Sequence, residues 1–282
     1  MSIRFIYLFD DTDRLGSNLA RYISIILVAI KHNYKISFVK PKHEYSCYDS
    51  IFVEALFNFV DHYNNKFENA DEEENNLITN NDFFQKLIKS VIYIQSDFIT
   101  AFKEHICTEK FNENLRELAE RKNYFVPYNV EKTIVVHLRF DDVCDKFIDS
   151  NHRGNCSMNF RNIINNDDIN YTFPGWAGQS AMRENEIQMV INKALSIYND
   201  YEVLIITHGE HTLPYKTIHS NDYSYDFYLL CNSKVLIGSM STFSLAPMFF
   251  GNHDKVYYPL WDHAVLFGLT TKYDKTNNIE FF

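Results

Sequence analysis

Thr133-Ile-Val-Val136 is a short, uninterrupted run of strand-forming residues, and it reads as a buried strand. His137, Leu138, Arg139, Phe140, Asp141 and Asp142 follow it directly. A buried parallel strand normally runs apolar to its end and stops in Gly, Pro or Asn. This one ends in strong hydrogen-bond donors and acceptors instead. In open α/β sheets the carboxyl edge is where ligands bind, so the stretch predicts a site at a sheet rim. Arg139 is its pivot, because a planar guanidinium holds phosphate bidentately at any ordinary pH. On these residues alone, an exposed strand end with an Arg–Asp pair is the competing reading.

The 282 residues include 46% hydrophobic side chains, with 24 Phe and 19 Tyr. That is enough for two cores of roughly 130–150 residues each. A net charge of −10 argues against a generic nucleic-acid surface, although it leaves room for a local cationic pocket. The five cysteines are odd in number and contain no C-x-x-C pair, which points away from a disulfide framework or structural zinc. Tyr22 to Ile30 is apolar, but its nine residues fall short of the ~20 that span a bilayer. It reads as a buried helix of a soluble, cytoplasmic protein with no membrane span.

Arg4 to Phe9 is a strand, followed by Asp10-Asp11-Thr12-Asp13 and Arg14-Leu-Gly-Ser-Asn18. Ser17 or Asn18 is expected to cap a helix running to about Lys31, with Gly16 turning the backbone before it. Tyr34 to Val39 is a second strand. The unit β-loop-α-β opens a doubly wound sheet. Helical periodicity occupies 48–67, 83–107 and 111–122, and the acidic run 68–76 reads as a solvated loop. Phe125 to Asn129 breaks the pattern and divides the chain into domains 1–129 and 130–282.

In the second domain, 144–182 lacks periodicity and clusters Tyr171, Phe173 and Trp176, which suit stacking on a sugar ring or plugging a core. Glu184 to Tyr198 is a helix, and Glu202 to Thr207 a strand ending in His208-Gly209. Asp226 to Asn232 is a short helix before the strand Val235 to Ile237. Gly238 to Ala246 then opens a helix with small hydroxylated residues, a ready anion site. No G-x-x-x-x-G-K-[ST] phosphate loop and no H-x-x-x-H pair occurs.

His137-x-Arg139-x-x-Asp142 resembles the H-x-R-x-x-D motif of the fucosyltransferase superfamily. Asp226 through Ser241-Thr242-Phe243-Ser244 is similar to that superfamily's second signature. Gly16-Ser-Asn18-Leu-Ala-Arg21 is similar to the G-x-N-x-x-R stretch of protein O-fucosyltransferases. The resemblance implies an α/β protein of the GT-B fold, with two Rossmann-like domains facing across a cleft. It also implies an inverting, metal-independent glycosyl transfer, with no cofactor, from a nucleotide sugar to a glycan hydroxyl. Carried over by position, Arg139 would hold the leaving diphosphate, and Ser241 and Thr242 would bind phosphate oxygens. His137 and Asp226 would contact the base, and Asn18 would reach the donor. Apart from the resemblance, the aromatic cluster Tyr171, Phe173 and Trp176 is the candidate acceptor surface, suited to stacking on a sugar ring.

The chain departs from the family at three places. Phe140 replaces a second Arg, His208-Gly209 replaces an acidic pair, and Leu15 stands where one group has a catalytic Glu. The proton acceptor is therefore open among Asp10, Asp11, Asp13, Asp142 and Asp145, with Asp13 preferred. The donor is GDP-fucose or UDP-xylose. The second is suggested by a lysine- and asparagine-rich chain that resembles large-DNA-virus capsid-glycan enzymes, chlorovirus xylosyltransferases among them. A non-catalytic, glycan- or protein-binding relative of such folds is the alternative class.

Overall fold

The computed structural model describes residues 3–8, 15–39, 49–67, 75–79, 98–139, 182, 184–259 and 278–282. The chain divides into two units, Met1–Phe125 and Val126–Phe282. Asp10, Asp11, Asp13, Asp142, Asp145, Tyr171, Phe173 and Trp176 lie outside the described residues.

The first unit runs β1 (Ile3–Leu8), α1 (Leu15–His32), β2 (Lys35–Val39), α2 (Ile51–Asn64), β3 (Asn75–Thr79), α3 (Phe98–His105) and α4 (Glu109–Arg121). Its three strands are parallel, in the order β2-β1-β3. Every residue from Tyr22 to Ala29 is buried, so the apolar stretch is a core helix. No helix among the described residues is long and apolar enough to cross a membrane.

The start of α1 corrects the expected cap. The helix begins at Leu15, so Gly16 and Asn18 sit inside its first turn, neither turning nor capping the backbone. Leu15 and Leu19, four residues apart and both buried, extend the apolar face one turn upstream. Packing there outweighs the ~1 kcal/mol helix penalty of glycine. At its other end α1 closes through Asn33, whose φ of 57° is left-handed. Tyr34 N donates to Ala29 O and Asn33 N to Ile30 O, a Schellman closure with Asn in the usual place of Gly.

The free edge of β2 is met by a side chain. Asn64 Oδ1 accepts from Ile36 N at 3.0 Å while its Nδ2 donates to Ile36 O at 2.7 Å, so one amide stands in for a missing strand. β3 begins within the run read as a loop. Pairing with β1 draws Asn75 and Asn76 into the ladder opposite Ile3 and Arg4, where their own type carries no strand signal.

The second unit runs β4 (Thr133–His137), α5 (Glu184–Ile197), β5 (Glu202–Ile206), β6 (Lys216–Ile218), α6 (Tyr223–Cys231) and β7 (Val235–Ile237). It continues with α7 (Thr242–Leu245), α8 (Pro247–Phe250), β8 (Lys255–Tyr258) and β9 (Ile279–Phe281). All six strands are parallel, in the order β6-β5-β4-β7-β8-β9. Numbered from β4, this is 3-2-1-4-5-6, the Rossmann-like arrangement, with its reversal between β4 and β7. β4 and β7 are buried along their whole length, as central strands covered on both faces must be. Sequence patterning does not reveal β6, β8 or β9. Each has three or four residues, and pairing with a neighbour rather than local pattern makes it a strand.

Candidate functional site

The crevice outside the strand ends at a topological reversal is the ligand position of an open parallel sheet. Here β4 delivers His137, Leu138 and Arg139 to that edge, and β7 delivers Gly238 to Thr242. Backbone hydrogen bonds fix both exits, with Leu138 N donating to Ile206 O and Gly238 N to Tyr257 O. The sequence-predicted His137, Arg139, Ser241 and Thr242 therefore all lie at the carboxyl ends of two adjacent strands.

His137 is 8% exposed. Its Nδ1 lies 2.7 Å from Ser239 Oγ, and its ring sits 5.3 Å from the Phe243 ring. Burial, reinforced by the charges of Arg139 and His208, lowers its pKa to about 3, so it is neutral at physiological pH. Ser239 Oγ has its best acceptor in His137 Nδ1, since the next hydroxyl, Ser244 Oγ, is 3.5 Å away. That assignment leaves the ring proton on Nε2. His137 then presents an N–H donor of fixed orientation without a charge.

The turn after β7 is locked from within. Ser244 Oγ accepts from Ser239 N and donates back to the Ser239 carbonyl. Ser241 caps α7, its Oγ accepting from Phe243 N. The Ser244 and Leu245 amides bond to Ser241 O, so three N–H groups of this four-residue helix are already used. Any grip on an anion here falls to hydroxyls rather than to those amides. Ser241 and Thr242 are 4% and 8% exposed.

Gly238 is required where it stands. A Cβ there would lie 2.4 Å and 2.7 Å from two Tyr258 ring carbons. Tyr258 is fully buried and donates from its hydroxyl to Ser241 O, so the ring cannot yield without releasing the turn. Gly238→Ala is expected to cost about 1–3 kcal/mol of stability, as overpacking does. Denaturant unfolding checks this, and an unchanged midpoint would refute the contact.

The second signature differs from its expected form. α6 starts at Tyr223 and its cap is Asp222, which accepts from Ser224 N and Tyr225 N. Asp226 thus does not open the helix; it lies within its first turn and is almost fully buried. Its Oδ2 is 2.8 Å from His208 Nε2, and Oδ1 has no hydrogen-bond partner among the described residues. Ser220 comes near the carboxylate, but its hydroxyl donates to the Asp222 carbonyl. Burial raises the Asp226 pKa, and Ser220 and His208 pull it partly back. The group exposed at this place is His208, whose side chain is 45% accessible. The sequence marks His208 only as a substitution for acids. Its tie to Asp226, 18 residues on, comes from the fold.

Asn18 belongs to the first unit, where it is buried in α1. No cluster of three or more His, Cys, Asp or Glu able to hold a metal occurs among the described residues. Compared with the sequence profiles of known protein families and with curated proteins, the chain matches none.

Proposed function

We propose that the chain is an inverting glycosyltransferase of the GT-B type, using a nucleotide-sugar donor and a glycan hydroxyl as acceptor. The observation that carries this reading is the placement of His137 and Arg139 at the end of the central strand β4, beside the strand-order reversal. The resemblance of His137-x-Arg139-x-x-Asp142 to the fucosyltransferase superfamily supports the same reading. In it, Val126–Phe282 is the donor-binding domain and the first unit is a second Rossmann-like domain.

In glycosyl transfer the acceptor oxygen bonds to the sugar's anomeric carbon as the bond to the diphosphate breaks. Negative charge collects on the departing diphosphate, so fixed donors aimed there supply the largest stabilisation. Arg139 provides the charged fork, His137 Nε2–H a neutral donor, and the Ser241 and Thr242 hydroxyls further donors. Asp13 remains the preferred proton acceptor for the incoming hydroxyl.

GDP-fucose and UDP-xylose are the two candidate donors. His208 in place of an acidic pair removes acceptors that suit the N1–H and amino edge of guanine, which favours UDP-xylose. Asp11-Thr12-Asp13 has the D-x-D spacing of metal-binding acids, so metal independence needs its own arm in the assay. The test is transfer from radiolabelled GDP-fucose and UDP-xylose to a panel of oligosaccharides, with and without EDTA, followed by the anomeric configuration of the product. Transfer with inversion that survives EDTA is expected. A retained configuration, or loss of transfer on chelation, would overturn the mechanism.

A further inference from the structure

The run after β7 carries hydroxyls on Ser239, Ser241, Thr242 and Ser244, and composition alone makes each of them a candidate anion ligand. The fold divides them. Ser244 Oγ is spent on the backbone of the turn, accepting from Ser239 N at 3.0 Å and donating to the Ser239 carbonyl at 2.9 Å. Ser239 is 2% exposed, and its own hydroxyl reaches the neighbouring strand exit, where His137 Nδ1 lies 2.7 Å away. The β4–β7 register ends at the pair Val136 and Ile237, so the contact joins the two exits one and two residues further on.

The turn does not need the Ser239 side chain to close. Ser244 Oγ, the Ser241 cap and the Tyr258 hydroxyl already hold its backbone. The sense of the Ser239 bond is also fixed. Ser244 gives its proton to the Ser239 and Ser241 carbonyls, and its oxygen is 3.5 Å from Ser239 Oγ, so His137 Nδ1 is the better acceptor. Burial keeps the imidazole uncharged, and an uncharged ring has one donor and one acceptor nitrogen. A proton on Nδ1 would leave the Nε2 lone pair facing outward, which repels a phosphate oxygen. A proton on Nε2 turns the same atom into a donor. Which form is present is set by the bond the other nitrogen makes.

We propose that Ser239 is a positioning residue of the nucleotide-sugar site: its hydroxyl holds His137 in the Nε2–H form and aims that N–H at the diphosphate. Ser239 does not touch the donor, and its effect passes through His137. The Phe243 ring, 5.3 Å from the imidazole, packs beside the same anchor, so the ring is held by a hydrogen bond at one nitrogen and by an aromatic neighbour. A side chain locked in this way keeps its donor aimed before the ligand arrives. The hydroxylated run thus has two tasks. Ser241 and Thr242 serve the ligand, and Ser239 with Ser244 serves the histidine.

This inference rests on the reading of the edge as a nucleotide-sugar site, and two readouts separate them. The first is a nitrogen–proton correlation spectrum of the full chain labelled at histidine, without ligand, in which His137 is identified by its loss in His137→Phe. A single Nε2–H tautomer is expected near neutral pH. A proton on Nδ1 in the wild type would overturn the proposal, whatever the stability of any variant. The second readout is calorimetric titration with UDP-xylose and GDP-fucose. Ser239→Ala should bind the preferred donor about 3–10-fold more weakly, the effect of one neutral hydrogen bond. In a His137→Phe background the same change should cost nothing further, because the residue it acts through is gone. Equal binding by wild type and Ser239→Ala would overturn the proposal and leave the site assignment standing. An undiminished loss in the His137→Phe background would do the same, by giving Ser239 a purely structural role. A wild type that binds neither donor would overturn the reading of the edge and the proposal with it.

Discussion

Arg139→Ala is expected to abolish measurable nucleotide-sugar binding and to lower transfer by about 10²–10³-fold, the loss typical of a donor aimed at developing charge. The fold should persist. Arg139 lies two residues beyond the end of β4 and is partly exposed, while the buried strand before it supplies the packing. Arg139→Lys should recover little, because a point charge cannot reproduce a bidentate fork. Transfer at near wild-type rate in Arg139→Ala would remove this residue from the site. A variant that fails to unfold cooperatively would instead give it a structural role.

His137 leads to the largest expected effect of pH on stability. Its folded pKa of about 3 lies well below the ordinary imidazole value of 6.5. A histidine depressed in this way binds its proton more readily when unfolded. The stability it lends is complete above about pH 6.5 and drains away as pH falls toward 3. At 1.36 kcal/mol per unit, the loss between pH 7 and 4.5 is roughly 2–3 kcal/mol. Asp226 works in the opposite sense. Its raised pKa means that its contribution declines as pH rises above the usual 3.8, which offsets part of the acid slope. The comparison that isolates His137 is urea unfolding of wild type and His137→Gln at both pH values. The variant should lose the acid-dependent difference, and an identical slope in both proteins would mean that His137 is protonated without cost in the folded chain.

The position of His137 and Arg139 at a sheet edge is legible in the sequence because its signal is local. A four-residue apolar strand that ends in His and Arg contradicts the usual strand ending, and the fold puts those residues at the edge that contradiction implies. Short strands were illegible for the converse reason. Lys216–Ile218, Lys255–Tyr258 and Ile279–Phe281 owe their state to neighbours in the sheet, and three or four residues cannot carry a period of two. Two helix starts depart from the sequence pattern, one decided by packing and the other by a cap four residues upstream of the expected one. Leu15 pulled α1 back past Gly16, and Asp222 rather than Asp226 took the amides of α6. The His208–Asp226 contact is a tertiary fact with no sequence spacing to announce it.

A thermal-shift comparison of wild type and Arg139→Ala with UDP, GDP, UDP-xylose and GDP-fucose, each with and without EDTA, tests most directly whether the edge at β4 and β7 holds a nucleotide sugar. Ligand at about 100 times its dissociation constant adds ~2.7 kcal/mol, an easily measured rise in melting temperature. The wild type should respond to the nucleotides of one base, unaffected by EDTA, and Arg139→Ala to none. A wild type indifferent to all four, or a variant that responds as the wild type does, would contradict a nucleotide-sugar site at this edge.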